Sequence, residues 1–253
     1  MIYDMKLQNL AISISASLLI GSFVYYGYSN NMLNSKQIVV ANTRRTSSII
    51  DVGTKDINIS SIRQDITSNN VKDANKLGVI AIPDLDIFLP IYDKPYDPNI
   101  LLEGSNLLRS TQNNRSSNVS IGDGNTILVA HNYNDGRTMF SPLQQNINQN
   151  QQYLKDGKPI HNYWLSGKKI YIASHTSIFV YTIEVQKTIH ESDLTIKKET
   201  SDPVVNIITC LEPNDSYRIV THGRLIEKYS WFNAPLDIIN LFDKSKFPYN
   251  LKG

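Results

Sequence analysis

VVNIITC (204–210), LEPNDS (211–216) and YRIVTHGRL (217–225) form the stretch whose reading decides the fold. Two β-branched runs flank a polar loop carrying Pro213, Asn214 and Asp215, the pattern of two strands joined by a reversal. Upstream, KKIYIAS (168–174) and SIFVYTIEVQKTI (177–189) alternate apolar and polar residues, with SHTS turning between them. NTILVAH (125–131) reads as a strand buried on both faces, and LGVIAI (77–82), PDLD and IFLPIY (87–92) as a hairpin-like pair. Strands at this spacing predict an all-β barrel or sandwich with one or two short helices. One helix is expected in MFSPLQQNINQN (139–150), with Ser141 as N-cap and Pro142 in the first turn. A second is expected in WFNAPLDIINLF (231–242), packed on the barrel as part of a 231–253 tail.

The composition narrows the function. Of 253 residues, 41% are hydrophobic and 19% charged, ordinary for a globular chain. A net charge of +2 supplies no concentrated basic face, so nucleic acid is not an expected partner. There is one cysteine, so no internal disulfide forms, and no Cys/His cluster has metal-ligand spacing. Taken alone, a single Cys reads either as a small buried hydrophobe or as a reactive thiol.

The amino-terminal end indicates the compartment. Leu10 to Tyr28 is a 19-residue uncharged run ending in a tyrosine cluster, long enough to cross ~30 Å of hydrocarbon. No small-x-small cleavage site follows it, which favours an uncleaved signal anchor over a removed leader. Lys6 lies on one side and Lys36, Arg44 and Arg45 on the other, so charge alone leaves the orientation open. The expected layout is a cytoplasmic segment (1–9), a transmembrane anchor (10–28), an extracellular polar stalk (29–75), a β-barrel domain (76–230) and the tail. Within the stalk, Ile59, Ile62 and Ile66 recur at helical spacing.

The decisive stretch also carries candidate chemistry. Cys210 closes one strand and Arg218 begins the next, which places thiol and guanidinium at one end of an antiparallel pair. A cation lowers a thiol's pKa, and arginine can hold the oxygen of a tetrahedral intermediate. His131 ends another strand and could shuttle a proton there. Spacing alone makes this a weak signal, because all three residue types occur in most chains. The remaining candidates have blander readings. His161, His175 and His190 fall in or beside turns, and Asp135 and Arg137 sit in a good turn sequence. Trp164 and Trp231 read as packing residues. His222 shares a face with Arg218 but lies about 13 Å along the strand.

The surrounding residues sharpen the picture. GVIAIPDLDIFLPI, LLEGSNLL, ILVAHNYNDGRTMFSPL, IITC and RIVTHGRL occur in the order of the corresponding sortase segments, and most closely resemble class A sortases of Gram-positive bacteria. The resemblance covers about 150 residues. It implies an eight-stranded β-barrel in which Cys210 is the nucleophile, His131 the acid/base and Arg218 the oxyanion stabiliser, with Thr209 assisting or holding substrate. It further implies cleavage of an LPxTG-type signal between Thr and Gly, a thioacyl-enzyme, and transfer of the surface protein to a peptidoglycan-precursor (lipid II) amine. No cofactor is implied.

There are departures. The family's T-L-x-T-C reads NIITC here, with Asn206 and Ile207 substituted. Some class A members bind calcium through acids before the catalytic His, but between Gly104 and His131 this chain has only Asp123, so no metal is expected. The aspartate–aromatic lid of pilus-building members is not evident, and Asp97-Pro98 reads as a turn. With an amino-terminal anchor and no carboxy-terminal span, the housekeeping role is expected over pilin polymerisation. A cell-wall cysteine hydrolase and a non-catalytic anchored module are the alternatives. Such hydrolases usually place Cys before His, and a non-catalytic module would have lost a site residue.

Overall fold

LGVIAI and IFLPIY lack polar alternation because both faces of these strands are covered. In the computed structural model, which describes residues 59–108 and 120–243, β1 (Lys76–Ile82) and β2 (Ile87–Tyr92) pair antiparallel around a Pro83–Leu85 turn. Asp86 closes that turn in the left-handed region, φ 52°. Then come α2 (Pro98–Leu101), β3 (Ser105–Leu108), β4 (Asn125–Val129) and three two-residue strands, β5 (Leu154–Lys155), β6 (Lys158–Pro159) and β7 (His161–Asn162). β8 (Lys169–Ser174), β9 (Ser177–His190), β10 (Val204–Cys210) and β11 (Tyr217–Ser230) follow. Helices α1 (Ile59–Thr67) and α3 (Leu236–Asn240) flank the strands.

The strand order β11-β10-β4-β3-β2-β1-β8-β9 closes through a β11–β9 pairing, so eight strands form a barrel; β7 adds to β9 outside the ring. Closure removes the exposed edges that a sandwich would leave. β2–β3 and β10–β4 are parallel, and the other barrel pairs are antiparallel. The parallel β2–β3 step explains the LLEGSNLL segment. A Cβ on Gly104 would stand 2.7 Å from the Pro90 carbonyl oxygen, and the Ser105 hydroxyl donates to that same oxygen at 2.9 Å. Only glycine lets the chain pass so close.

Three apolar layers result. The barrel interior is filled by residues including Ile80, Leu89, Leu128, Phe140, Tyr181 and Ile207. Outside, Ile59, Ile62 and Ile66 of α1 join Trp231, Ile238, Ile239 and Phe242 against Val79, Ala81, Phe88, Ala173, Ile178 and Val180. The end of the expected stalk thus packs on the barrel. A third, smaller patch lies on the outer face of the opposite strands: Leu108, Ile127, Ile208 and Val220, with Val129, Ile189 and Ile196 against them.

The helix expected after Phe140 does not form. Ser141–Leu143 is a single 3-10 turn with Phe140 at its N-cap, and Gln144 is already extended. The Ser141 hydroxyl accepts from the Tyr133 N–H instead of capping. The chain from 144 to 149 wraps around the Gln144 amide, whose Nε2 donates to the carbonyls of Asn146, Gln149 and Glu212. Those bonds compete directly with a helical ladder. The expected membrane segment, 10–28, lies outside the described residues. Among these, no helix is long and apolar enough to cross a membrane.

Candidate active site

β10 runs between β11 and β4, and from Val204 to Ile208 each residue has a partner on either side. Cys210 pairs with Arg218 across the antiparallel β10–β11 ladder. The parallel β10–β4 register sets Ile208 beside Val129. Carried two residues further, it sets His131 beside Cys210, and the Ala130 N–H already reaches the Ile208 carbonyl at 3.4 Å. Neighbouring strands are about 4.8 Å apart, so guanidinium, thiol and imidazole arise abreast from three adjacent backbones.

Alternation fixes the face. On β10, Val205 and Ile207 point into the barrel, leaving Asn206, Ile208 and Cys210 outside. The three candidates therefore stand at the head of the outer apolar patch. All three line one cleft of about 220 Å³, together with Tyr96, Leu108, Val129, Ile189, Ile196 and Ile208 among others. Ile196 belongs to the β9–β10 connection, which forms a wall over the patch.

Thr209 is 2% exposed; its hydroxyl donates to the Ala130 carbonyl at 2.9 Å. It thereby ties the Cys strand to the residue before His131, while also lining the cleft. Asp97 caps α2, accepting from the Asn99 and Ile100 N–H groups, and its neighbours Pro95 and Tyr96 line the cleft.

Two supports were not legible in the sequence. Glu191 Oε2 lies 3.1 Å from Arg218 Nη2, while Nη1 donates to the carbonyls of Tyr217 (3.0 Å) and Asp215. Three of the guanidinium's five N–H donors are thus engaged, leaving one on Nη2 and that on Nε. Asn132, next to the candidate histidine, donates through Nδ2 to the Cys210 carbonyl (2.9 Å) and to Gln144 Oε1 (2.7 Å). Gln144 Oε1 also accepts from the Glu212 N–H at 2.9 Å. These buried amides hold the turn after the thiol rigidly against the turn after the imidazole. Only the adjacency of Asn132 to His131 hints at this in the sequence.

Burial pushes the Cys210 thiol up; Arg218 opposes this, while Glu212, Asp215 and Glu191 add to it. Burial pushes the His131 imidazole down. At neutral pH the resting pair is therefore mostly uncharged thiol and uncharged imidazole. Among the described residues, no group of His, Cys, Asp and Glu is placed to hold a metal ion.

Residues 80–226, more than half of the chain, match the family of sortase domains. The chain belongs to the sortase family. This sortase is similar to sortase A of Listeria monocytogenes, with 30% identity over 159 residues covering 62% of this chain and 60% of that protein. It is similar to sortase A of Streptococcus agalactiae, with 25% identity over 222 residues covering 86% and 79%. The matched stretch thus spans less than two thirds of the Listeria protein's length. A solved structure of Listeria monocytogenes sortase A superposes with a TM-score of 0.49, at 24% identity, covering 68% of this chain and 96% of that one. A pilus-related sortase C of Group B Streptococcus superposes with a TM-score of 0.45, at 20% identity, covering 62% and 70%.

Proposed function

We propose that this sortase is a membrane-anchored cysteine transpeptidase of the class A type. It cleaves an LPxTG-type sorting signal between Thr and Gly and transfers the surface protein to an amine of the peptidoglycan precursor. The observation that carries the reading is the register: Arg218, Cys210 and His131 lie abreast at the head of an apolar groove. The class assignment is supported by the two curated relatives, both sortase A.

The chemistry follows from that layout. Cys210 Sγ, as thiolate, attacks the Thr carbonyl carbon, and the electron pair of the C=O bond moves onto oxygen. Arg218 offers its two uncommitted N–H donors to that oxyanion. As the tetrahedral species collapses, the C–N bond breaks and the His131 imidazolium gives its proton to the departing glycine nitrogen. The thioester that remains is attacked by an incoming amine, whose proton passes to His131, and collapse expels the Cys210 thiolate. One amide is exchanged for another, with no water consumed and no cofactor needed. The thiolate–imidazolium pair is a minority form at rest, and it is this form that reacts. In the same reading, residues 10–28 cross the cell membrane and the barrel lies outside, where sorting signals and wall precursors meet.

The test uses the full chain in detergent, incubated with a fluorogenic LPxTG peptide and an amine acceptor. Mass spectrometry is expected to find peptide joined to acceptor, and Cys210→Ala to reduce its rate by roughly 10³-fold or more. A product that is only hydrolysed would favour a cell-wall peptidase instead. Absence of any cleavage from folded wild type would remove the proposed substrate. Deleting residues 1–28 is expected to shift the chain from membrane pellet to supernatant; an unchanged pellet fraction would remove the anchor.

A further inference from the structure

The family's threonine four residues before the nucleophile is replaced by Asn206, and its amide belongs to a directed hydrogen-bond chain on the outer face of the barrel. Asn125, the first residue of β4, donates through Nδ2 to two carbonyls, Ile196 and Lys198, each at 2.8 Å. Between two carbonyl acceptors only a donor group fits, and a primary amide supplies two N–H bonds from one atom. Asn125 Oδ1 in turn accepts from Asn206 Nδ2 at 2.7 Å. With that amide orientation set, Asn206 Oδ1 is an acceptor, so His222 Nδ1 at 2.9 Å carries the proton toward it. His222 Nε2 faces Glu184 Oε2 at 3.8 Å.

The far end of this chain grips the Thr195–Lys197 turn of the β9–β10 connection. That turn carries Ile196, whose side chain packs on Leu108, Ile127, Ile208 and Val220 and lines the cleft. We propose that Asn125 is a positioning residue that clasps this turn, and that Asn206 and His222 orient its amide, so that together they set the width of the apolar groove. The groove's occupant rests on the function proposed above: the aliphatic side chain of a sorting peptide, seated against Ile196. None of the three residues reaches the reacting atoms, since Asn206 lies four positions, about 13 Å, along the strand from Cys210. A threonine at 206 has an arm one bond shorter and a single hydroxyl proton, so it does not span both Asn125 and His222.

The experiment compares wild type, Asn125→Asp, Asn125→Ala and Asn206→Thr as full chains in detergent. Asn125→Asp keeps the shape and the acceptor oxygen but sets an oxygen against two carbonyls. Hydrogen–deuterium exchange follows the Lys197 and Lys198 amides, which bond to the Leu194 and Thr195 carbonyls. The expected result is roughly tenfold faster exchange there in both Asn125 variants, and a smaller acceleration in Asn206→Thr. With the sorting peptide, KM is expected to rise about five- to tenfold while kcat and the alkylation rate of Cys210 stay within about twofold. Unchanged exchange in Asn125→Asp would overturn the clasp, as would a fall in kcat at constant KM. If wild type turns over no sorting peptide, the proposed function fails, while the exchange data still decide the clasp.

Discussion

Cys210 sits among four charged side chains of unequal sign. Arg218 draws its thiol toward ionisation, and Glu212, Asp215 and Glu191 push it the other way, on top of burial. Glu191 acts twice, because it also pairs with the Arg218 guanidinium at 3.1 Å and offsets that charge. Replacing it with glutamine removes a carboxylate and leaves Arg218 less neutralised. Both changes lower the thiol's pKa, and a lower pKa means more thiolate at a given pH. Glu191→Gln is therefore expected to speed alkylation of Cys210 by iodoacetamide near neutral pH, roughly two- to tenfold. Transpeptidation need not follow, because the same carboxylate also holds the Arg218 guanidinium in place. In wild type, alkylation is expected to climb through the alkaline range, since burial keeps the thiol above its usual value. Slower alkylation in Glu191→Gln would show that the carboxylate's grip on Arg218 outweighs its field at the sulfur.

Between elements, the site depends on Gln144, which stands where the sequence favours a helix. Its amide joins Asn132, the Glu212 N–H and three carbonyls, and so ties the turn after His131 to the turn after Cys210. Gln144→Leu fills similar space but removes those bonds, leaving the buried Asn132 Nδ2 only its bond to the Cys210 carbonyl and the half-buried Glu212 backbone without its amide partner. The expected cost is about 2–3 kcal/mol in chemical denaturation, with slower acylation even at temperatures where the variant remains folded. A loss below about 0.5 kcal/mol would mean that water replaces the amide at no penalty. The same residue shows what is legible in a sequence. VVNIITC could be placed from 204 to 210 because β-branched residues and a following polar loop mark both of its ends. YRIVTHGRL was legible only in its first nine residues; the strand continues to Ser230 because β9 pairs with it that far. Cys210 and Arg218 were readable as neighbours because the short loop fixes their pairing. Glu191 and Gln144 were not, since they reach the site from 27 and 68 residues away through side chains whose direction no local pattern records.

At the scale of the whole molecule, the described residues give the barrel two different outer sides. One meets α1 and the 231–243 segment; the other carries the cleft. The 3.6-residue rhythm of Ile59, Ile62 and Ile66 was legible, but its docking site was not, because LGVIAI and IFLPIY are apolar at almost every position and conceal which face needs a partner. This division predicts a separation of stability from chemistry. Trp231 is 2% exposed, donates through Nε1 to the Ser174 carbonyl at 2.9 Å, and packs edge-on to Phe242 at 6.4 Å. Trp231→Ala is expected to cost about 3–5 kcal/mol, lowering Tm by on the order of 10 °C. Cys210 and Arg218 stand on β10 and β11, His131 follows two residues after β4, and none of them belongs to that outer core. Well below its Tm, the variant is therefore expected to keep peptide KM and kcat within about twofold of wild type. Val220→Ala, in the buried cluster that supports the cleft-lining Leu108, Ile196 and Ile208, is the matched control: a smaller loss of Tm accompanied by a rise in KM. If Trp231→Ala impaired KM at low temperature as strongly as Val220→Ala, the two sides of the barrel would be coupled, and the outer core would belong to the substrate site as well as to the fold.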